Sequence, residues 1–308
     1  MEWVEESVKN ESRYRLVRGS SSDSAYPEYM QLSYADRNGP GGTSGFRGVV
    51  SVGSESSSNT RIRSSSGEVN KPVVGQKWTI PDLQLDLMPI APGTFQMGSI
   101  TGGEDSERPV TKVTFLRRFW LGKTEVTQAQ WLAVMGSNPS SFKGDNLPVE
   151  QVSWDDAMEF CWKLTERERA AGQLPEGYAY TLPTEAQWEY ACRAGTTGDY
   201  AGNLDEMGWY RQNSGQSTKP VGTKQANAWG LHDMHGNVWE WCLDRYRSYP
   251  GGSVTDPNGA SSGSGRVLRG GCWSGRADYC RSALRMNWDS GNRYDVTGFR
   301  LALAPTSR

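Results

Sequence analysis

The strongest hydrophobic periodicity in the chain follows Ser153. Ala157, Phe160, Cys161 and Leu164 fall at i, i+3, i+4 and i+7, one face of an amphipathic helix. Trp131, Val134 and Met135 repeat the pattern after Thr127, with Gly136 placed as a C-terminal cap residue. A third helix is expected from Glu185 to Ala194, stopping at Gly195. All three open in the same way: Thr127 precedes Gln130, Ser153 precedes Asp156 and Thr184 precedes Gln187 by three positions. That spacing lets a hydroxyl cap the third amide while the later side chain reaches back, the capping-box arrangement. The acidic run "SWDDAMEF" reads as a helix N-terminus answering its own dipole. Strands are short, with Leu83, Leu85 and Leu87 alternating as in a half-buried strand. Between residues 195 and 265 almost no periodicity survives. So long an irregular stretch inside a compact domain needs support other than secondary structure, and bound metal is the usual means.

Residues 52–77 are rich in Ser and Gly and read as a linker, or an exposed and poorly packed strand pair, before a main domain of residues 78–308. Ahead of the linker, residues 1–51 hold a partial repeat of the chain's own C-terminal segment. "RLVRGSSSDSAYPEYMQLSYADRNGPGGTSGFRGVV" parallels "RVLRGGCWSGRADYCRSALRMNWDSGNRYDVTGFRLAL", with similar openings, a shared G-F-R and apolar residues after it.

Charge and composition exclude more than they identify. A formal net charge of −2 gives no reason to expect a nucleic-acid partner or a polybasic membrane patch. No apolar run reaches the roughly 18 residues that span a bilayer. The N-terminal "MEWVEESVKNESRYRL" lacks the apolar core of a signal peptide, so the expected location is cytoplasmic by default. With 36 glycines and 13 tryptophans, the chain should be loop-rich and held by aromatic packing. None of the five cysteines forms a C-x-x-C, and Cys161 and Cys192 read as small buried residues. The two histidines, His232 and His235, are too few for a three-histidine iron site and read as loop surface. No Ser/His/Asp set, phosphate loop or dinucleotide fingerprint is present.

The most informative stretch is "GLHDMHGNVWEWCLDRY". It gathers Asp233, two glycines, Asn237 and Glu240 within a short irregular run, with Trp239 and Trp241 placed to anchor it. Hard oxygen donors in a loop suit calcium. A turn motif without metal fits the same residues.

Seven blocks occur in order: "FQMGS", "KTEVTQAQW", "LPVEQVSWDDAMEFC", "LPTEAQWEYACRAG", "GNVWEW", "RVLRGG" and "GFR". Together they closely resemble the formylglycine-generating enzyme (sulfatase-modifying factor) family over residues 86–304. The resemblance implies an α+β fold, a compact C-type-lectin-like variant with short strands, three helices, much irregular structure and bound calcium. One calcium site carries over to the side chains of Asp233 and Glu240 and the carbonyls of Gly236 and Val238. A second carries over to Asn203 and the Leu204 carbonyl, completed near Asn213, where the spacing departs from the family pattern.

The family's oxidase activity needs two cysteines that bind copper, four and nine residues beyond the second glycine of R-G-G. Here those positions are Gly275 and Cys280, so one thiol is missing, and Cys272 stands in a different register. A lone thiol does not supply a two-sulfur copper(I) site, so no copper is expected and the chain is read as a non-enzyme. Cys280 would be catalytic only if the oxidase alternative held.

The segment 272–297, "CWSGRADYCRSALRMNWDSGNRYDVT", departs from the family's usual Asn-rich pattern. Ser274, Gly275, Asp278, Tyr279, Leu284, Asp289, Ser290, Tyr294, Asp295 and Val296 are each reachable from an Asn codon by changing only adenines. That resembles the variable proteins diversified by retroelements, a subgroup that uses this fold; ordinary drift of surface loops gives the same picture. Those ten positions, with Trp273 and Trp288, form the expected ligand surface, Trp273 being partly core. Trp273, Tyr279, Trp288 and Tyr294 are aromatics with a polar handle, the usual anchors of binding surfaces. Arg269, Gly270, Gly271, Arg281, Arg285, Gly298 and Arg300 are expected to hold the scaffold. The expected function is a non-catalytic binding module for a protein or other macromolecular ligand, located at the cell surface if it is a variable display protein. The alternatives are the copper-dependent oxidase and a structural partner domain.

Overall fold

The three helix starts appear where the hydroxyl residues stand. The computed structural model describes residues 71–99 and 103–306; the repeat in 1–51 and most of the linker lie outside the described residues. The elements are Trp78–Ile80 (β1), Leu85–Ile90 (β2), Gly93–Met97 (β3), Thr111–Phe115 (β4), Phe119–Gly122 (β5), Gln128–Met135 (α1), Trp154–Ala170 (α2), Tyr178–Thr181 (β6), Glu185–Arg193 (α3), Leu204–Met207 (α4), Trp239–Tyr246 (β7), Gly252–Thr255 (β8), Ser264–Arg269 (β9), Arg285–Trp288 (β10), Thr297–Gly298 (β11) and Ala302–Pro305 (β12).

Each of α1, α2 and α3 carries both halves of its capping box. Ser153 Oγ accepts from the Asp156 amide at 3.1 Å, and Asp156 accepts from the Ser153 amide at 2.9 Å. Thr127 with Gln130 and Thr184 with Gln187 do the same. Such caps contribute on the order of 1 kcal/mol each. The α2 face of Ala157, Phe160, Cys161 and Leu164 is fully buried, and α1 ends at Gly136 with φ 80°. The close of α3 differs from expectation: Ala194 already adopts the left-handed conformation (φ 44°), one residue before Gly195.

The strands form three sheets, in the orders β1-β2-β5-β12-β6, β10-β9-β7-β11 and β3-β4-β8. Helices α1 and α2 belong to the core over the first sheet, where Trp131, Phe160 and Phe299 meet ring to ring at 5.5–5.9 Å. Helix α3 supplies Trp188, Tyr190 and Ala191 to a second core with Val113, Phe115, Met234 and Val267. Two expectations from periodicity fail here. Leu83 closes a 3-10 turn, and the strand begins at Leu85, although Leu83, Leu85 and Leu87 are all buried. The supposedly irregular stretch contains the eight-residue β7, flanked by β9 and β11. Its first four residues are all buried, so the strand shows no alternation for a period-2 pattern to reveal.

Candidate functional site

The C-terminal segment is laid over a floor of buried arginines. Gly270 and Gly271 turn the chain out of β9 with φ of 98° and 79°. A Cβ on Gly271 would lie 2.7 Å from Cys280 Sγ, so only glycine lets that thiol pack against the turn. Arg269, entirely buried, donates to Glu189 at 2.5 Å, to Glu185 at 3.2 Å and to the carbonyls of Ser282 and Ala283. Arg285 grips Glu185 through two nitrogens (2.7 and 2.6 Å), reaches the carbonyls of Ser106 and Arg247, and lies over the rings of Tyr246 and Tyr249. Arg281 pairs with Glu107 at 2.7 and 2.9 Å, and Arg193 with Glu189. Multi-donor arginines thus tie loop carbonyls and helix α3 to the segment from below. Asp244, nearly buried, accepts the Glu185 amide at 2.7 Å; burial and then the Glu185 charge push its carboxyl up to about 7.

A second cluster lies at the start of β7. Glu240 is wholly buried; Arg300 donates to both its oxygens at 2.6 Å, and the Trp188 indole donates to one of them at 2.7 Å. Arg300 also holds the carbonyls of Gly122 and His232. Asp233 takes the Gly222 amide at 2.6 Å on one oxygen, while its other oxygen is buried without a partner. Glu125, on the loop before α1, faces Asp233, and its buried oxygens have no partner other than that carboxyl, with which it can share a proton. Burial first, and then the charge of Asp233, raises the Glu125 carboxyl well above the usual carboxylate range; burial raises that of Asp233. Gly236 (φ 120°) lets the loop pass Trp209 so closely that a Cβ would sit 2.1 Å from its carbonyl oxygen.

The expected calcium donors are met only in part. Asp233 offers a free buried oxygen, but both Glu240 oxygens are held by Arg300. The other orphan oxygens of this cluster belong to Glu125, which no local sequence pattern marks as a donor. Asn203 Oδ1 caps α4 by accepting the Asp205 amide, the Leu204 carbonyl accepts the Gly208 amide, and the Asn213 side chain bonds Tyr210 and Gly208. That turn therefore uses its own oxygens. Among the described residues no group of three or more His, Cys, Asp or Glu is disposed to hold a metal ion.

The thiols are buried as well. Cys280 is fully buried and Cys272 nearly so, and burial raises both above the ordinary thiol range. A Cβ on Gly275 would lie 3.5 Å from Cys272 Sγ. Gly275 and Cys280 do not supply the family's pair of thiols; the thiol that the fold brings near Cys280 is Cys272, which acts on it electrostatically. His235 corrects a sequence expectation. It is fully buried rather than on the surface, accepts the Ala201 amide on Nε2 and therefore donates from Nδ1 to the Cys280 carbonyl at 2.8 Å. Burial lowers its pKa to about 4, so it stays neutral.

Above the arginine floor, the expected ligand surface separates into two groups. Tyr279, Asp289 and Tyr294 are exposed, and Trp273, Ser274, Asp278, Trp288, Ser290, Asp295 and Val296 are half-buried. Leu284 and Gly275 are buried, which corrects their assignment as ligand contacts: Leu284 belongs to the core, and the Gly275 carbonyl accepts the Arg211 amide. The backbone of the exposed part is pinned. Gln151 donates to the Tyr294 carbonyl, Trp239 to that of Val296 and Trp154 to that of Ser290.

Short strands in three sheets, four capped helices among the described residues and long pinned loops define a C-type-lectin-like domain of the formylglycine-generating type. The sulfatase-modifying factor enzyme 1-like domain model matches residues 82–305, and the chain belongs to that family. A solved structure, the variable protein 1 of Treponema denticola, superposes with a TM-score of 0.67 at 35% identity, covering 75% of this chain and 99% of that one. The chaperone protein LppX of Paenibacillus barcinonensis is 34% identical over 242 residues, 61% of this chain and 78% of LppX. The formylglycine-generating enzyme of Streptomyces coelicolor is 34% identical over 203 residues; the match takes in 58% of this chain and 59% of the enzyme's length. Among the described residues no helix is long and apolar enough to cross a membrane.

Proposed function

We propose that the chain is a non-catalytic binding module that presents the surface of residues 272–297 to a protein or other macromolecular ligand. The observation that carries this reading is the split within one segment: arginines and glycines buried in a bonded floor, with aromatic and acidic side chains above it. The similarity to a variable protein supports it, as does glycine at position 275. Retroelement diversification of the exposed positions remains part of the proposal, and the flanking DNA tests it by the presence or absence of a template copy with adenines at those codons. The oxidase reading, favoured by the formylglycine-generating relatives, is tested by supplying copper(I) and a sulfatase-type cysteine peptide. The expected result is no aldehyde product; turnover by the wild-type chain overturns the binding-module reading.

We further propose calcium at the Asp233 loop. Glu125, Asp233 and Glu240 carry three carboxylates against the single guanidinium of Arg300, and a divalent cation would close that imbalance. In this reading Asp233, with the Gly236 and Val238 carbonyls, supplies oxygen, and Glu240 remains Arg300's partner. The cation's part is structural: it would neutralise buried charge and fix the loop that leads into β7. If a chelator leaves the melting temperature unchanged, calcium is excluded.

A further inference from the structure

We propose that the occupant of the 272–297 surface is a basic segment of a partner protein, with a lysine or arginine side chain seated on Trp273 and Phe142 against Asp295. This rests on the binding-module reading and names the chemistry of the partner. The first observation is charge pairing. Each arginine of the segment already has a carboxylate: Arg276 with Asp278 (2.9 Å), Arg281 with Glu107 (2.7 Å), Arg285 with Glu185 (2.6 Å) and Arg293 with Asp156 (2.8 Å). The segment has no lysine. Asp289 and Asp295 have no cation partner among the described residues, so the segment's own uncompensated charge is negative; Arg211, from outside the segment, is bonded to the Ser274 carbonyl at 2.8 Å.

The second observation is a chain of contacts that runs from Glu150 through Phe142 and Trp273 to Asp295. The Glu150 carboxylate accepts the Phe142 amide at 2.8 Å. The Phe142 ring meets Trp273 edge to face at 5.3 Å. The Trp273 indole donates to the Asp295 carbonyl at 3.0 Å. Asp295 in turn acts electrostatically on Glu150. Glu150 is wholly buried and one of its oxygens has no partner. It cannot touch a ligand, but it fixes the Phe142 backbone beside Trp273. Burial, then Asp295, pushes its carboxyl up to about 7, while the backbone amides of Phe142 and Ser141 and the charge of Lys143 oppose the rise. An aromatic face beside a carboxylate is the environment that attracts a partly desolvated ammonium or guanidinium group. Trp288 and Tyr294, 4.8 Å apart, extend the aromatic surface beside it. Trp and Tyr side chains of this kind are common anchors at interface centres.

The test uses the full chain and two short capped peptides, one alternating lysine with alanine and the other glutamate with alanine. Binding is read by calorimetry and by the Trp273 indole resonance. The lysine peptide is expected to bind, to shift the Trp273 resonance and to weaken as salt is raised. Asp295→Asn is expected to weaken it about tenfold, the loss of roughly one well-placed charged contact. Glu159→Gln, an exposed acid on α2, should leave it unchanged and so exclude bulk charge attraction. Equal binding of the glutamate peptide, an unchanged affinity in Asp295→Asn, or no shift at Trp273 overturns the inference. The binding-module reading is judged separately, by the turnover assay and by melting temperatures across the surface, so either can fail alone.

Discussion

The two buried charge clusters share Trp188 as a neighbour, yet they are built on opposite terms. Beneath the C-terminal segment, the guanidinium groups of Arg193, Arg269, Arg281 and Arg285 face Glu107, Glu185, Glu189 and Asp244, and each of the three glutamates has a guanidinium within hydrogen-bond reach. At the start of β7, Arg300 is the one guanidinium facing Glu240, Asp233 and Glu125, with Lys224 and His232 also acting on Asp233, and three carboxylate oxygens have no partner outside the Glu125–Asp233 pair. A buried pair helps only when geometry is good and remaining lone pairs are met, whereas an unmet buried charge is costly. The first cluster is therefore balanced in charge, with the Arg269 Nε donor left without a partner. The second is a place where something further, a proton or a cation, completes the balance.

Substitutions of the two key arginines break this comparison most directly. Arg300→Met should cost the most, on the order of 3–5 kcal/mol or loss of the fold, because Glu240 loses the guanidinium bonded to both its oxygens and the buried acids around it lose their closest cation. Arg269→Met should cost less, since Arg285 and Arg193 still cover Glu185 and Glu189. Denaturant melts of both variants decide the order; equal losses would show that the second cluster is no more strained than the first.

Asp244 sharpens it through pH. Its folded carboxyl is raised to about 7 from its ordinary 3.8, so the native state binds more protons than the unfolded chain between those values. Its stability contribution is full below about 4 and is lost as pH rises through about 7, by at most about 4 kcal/mol. Asp244→Asn should flatten that part of the stability curve, followed by melts from pH 4 to 8.

Calcium gives the next effect. At a hundredfold excess over its dissociation constant, a native-only ligand stabilises by about 2.7 kcal/mol. A chelator is therefore expected to lower the melting temperature of the wild type and to leave that of Asp233→Ala unaffected. Glu185→Gln, in the balanced cluster, should keep the wild-type response to chelator if it folds.

The smallest effects are expected at the surface. Asp289→Asn, Tyr294→Ala and Ser274→Ala should stay within about 0.5 kcal/mol, as exposed substitutions usually do. Leu284→Ala in the same segment should cost about 2–5 kcal/mol, because it opens a core cavity. A melting scan across the segment checks the division, and a Tyr294 variant as damaging as Leu284→Ala would make the exposed face part of the core.

Much of this was legible in the residues themselves. The helices could be read because capping and amphipathic spacing are local: Ser153 and Asp156 meet within one turn, and the buried face of α2 recurs every three or four residues. The family was legible because its blocks are contiguous strings, and the missing thiol at position 275 is a matter of counting. Strand β7 was hidden because burial on both faces removes alternation. The chemistry that depends on distant partners was hidden for a stricter reason. Glu125 and Asp233 are far apart in sequence, as are Arg300 and Glu240, and no local pattern says which carboxylate receives the guanidinium. His235 looked like a loop residue until folding placed the Ala201 amide and the Cys280 carbonyl on its two nitrogens. Leu284 and Asp295 have equal standing in a list of codons. Only packing puts one in the core and the other beside Trp273, because burial is set by what the rest of the chain covers.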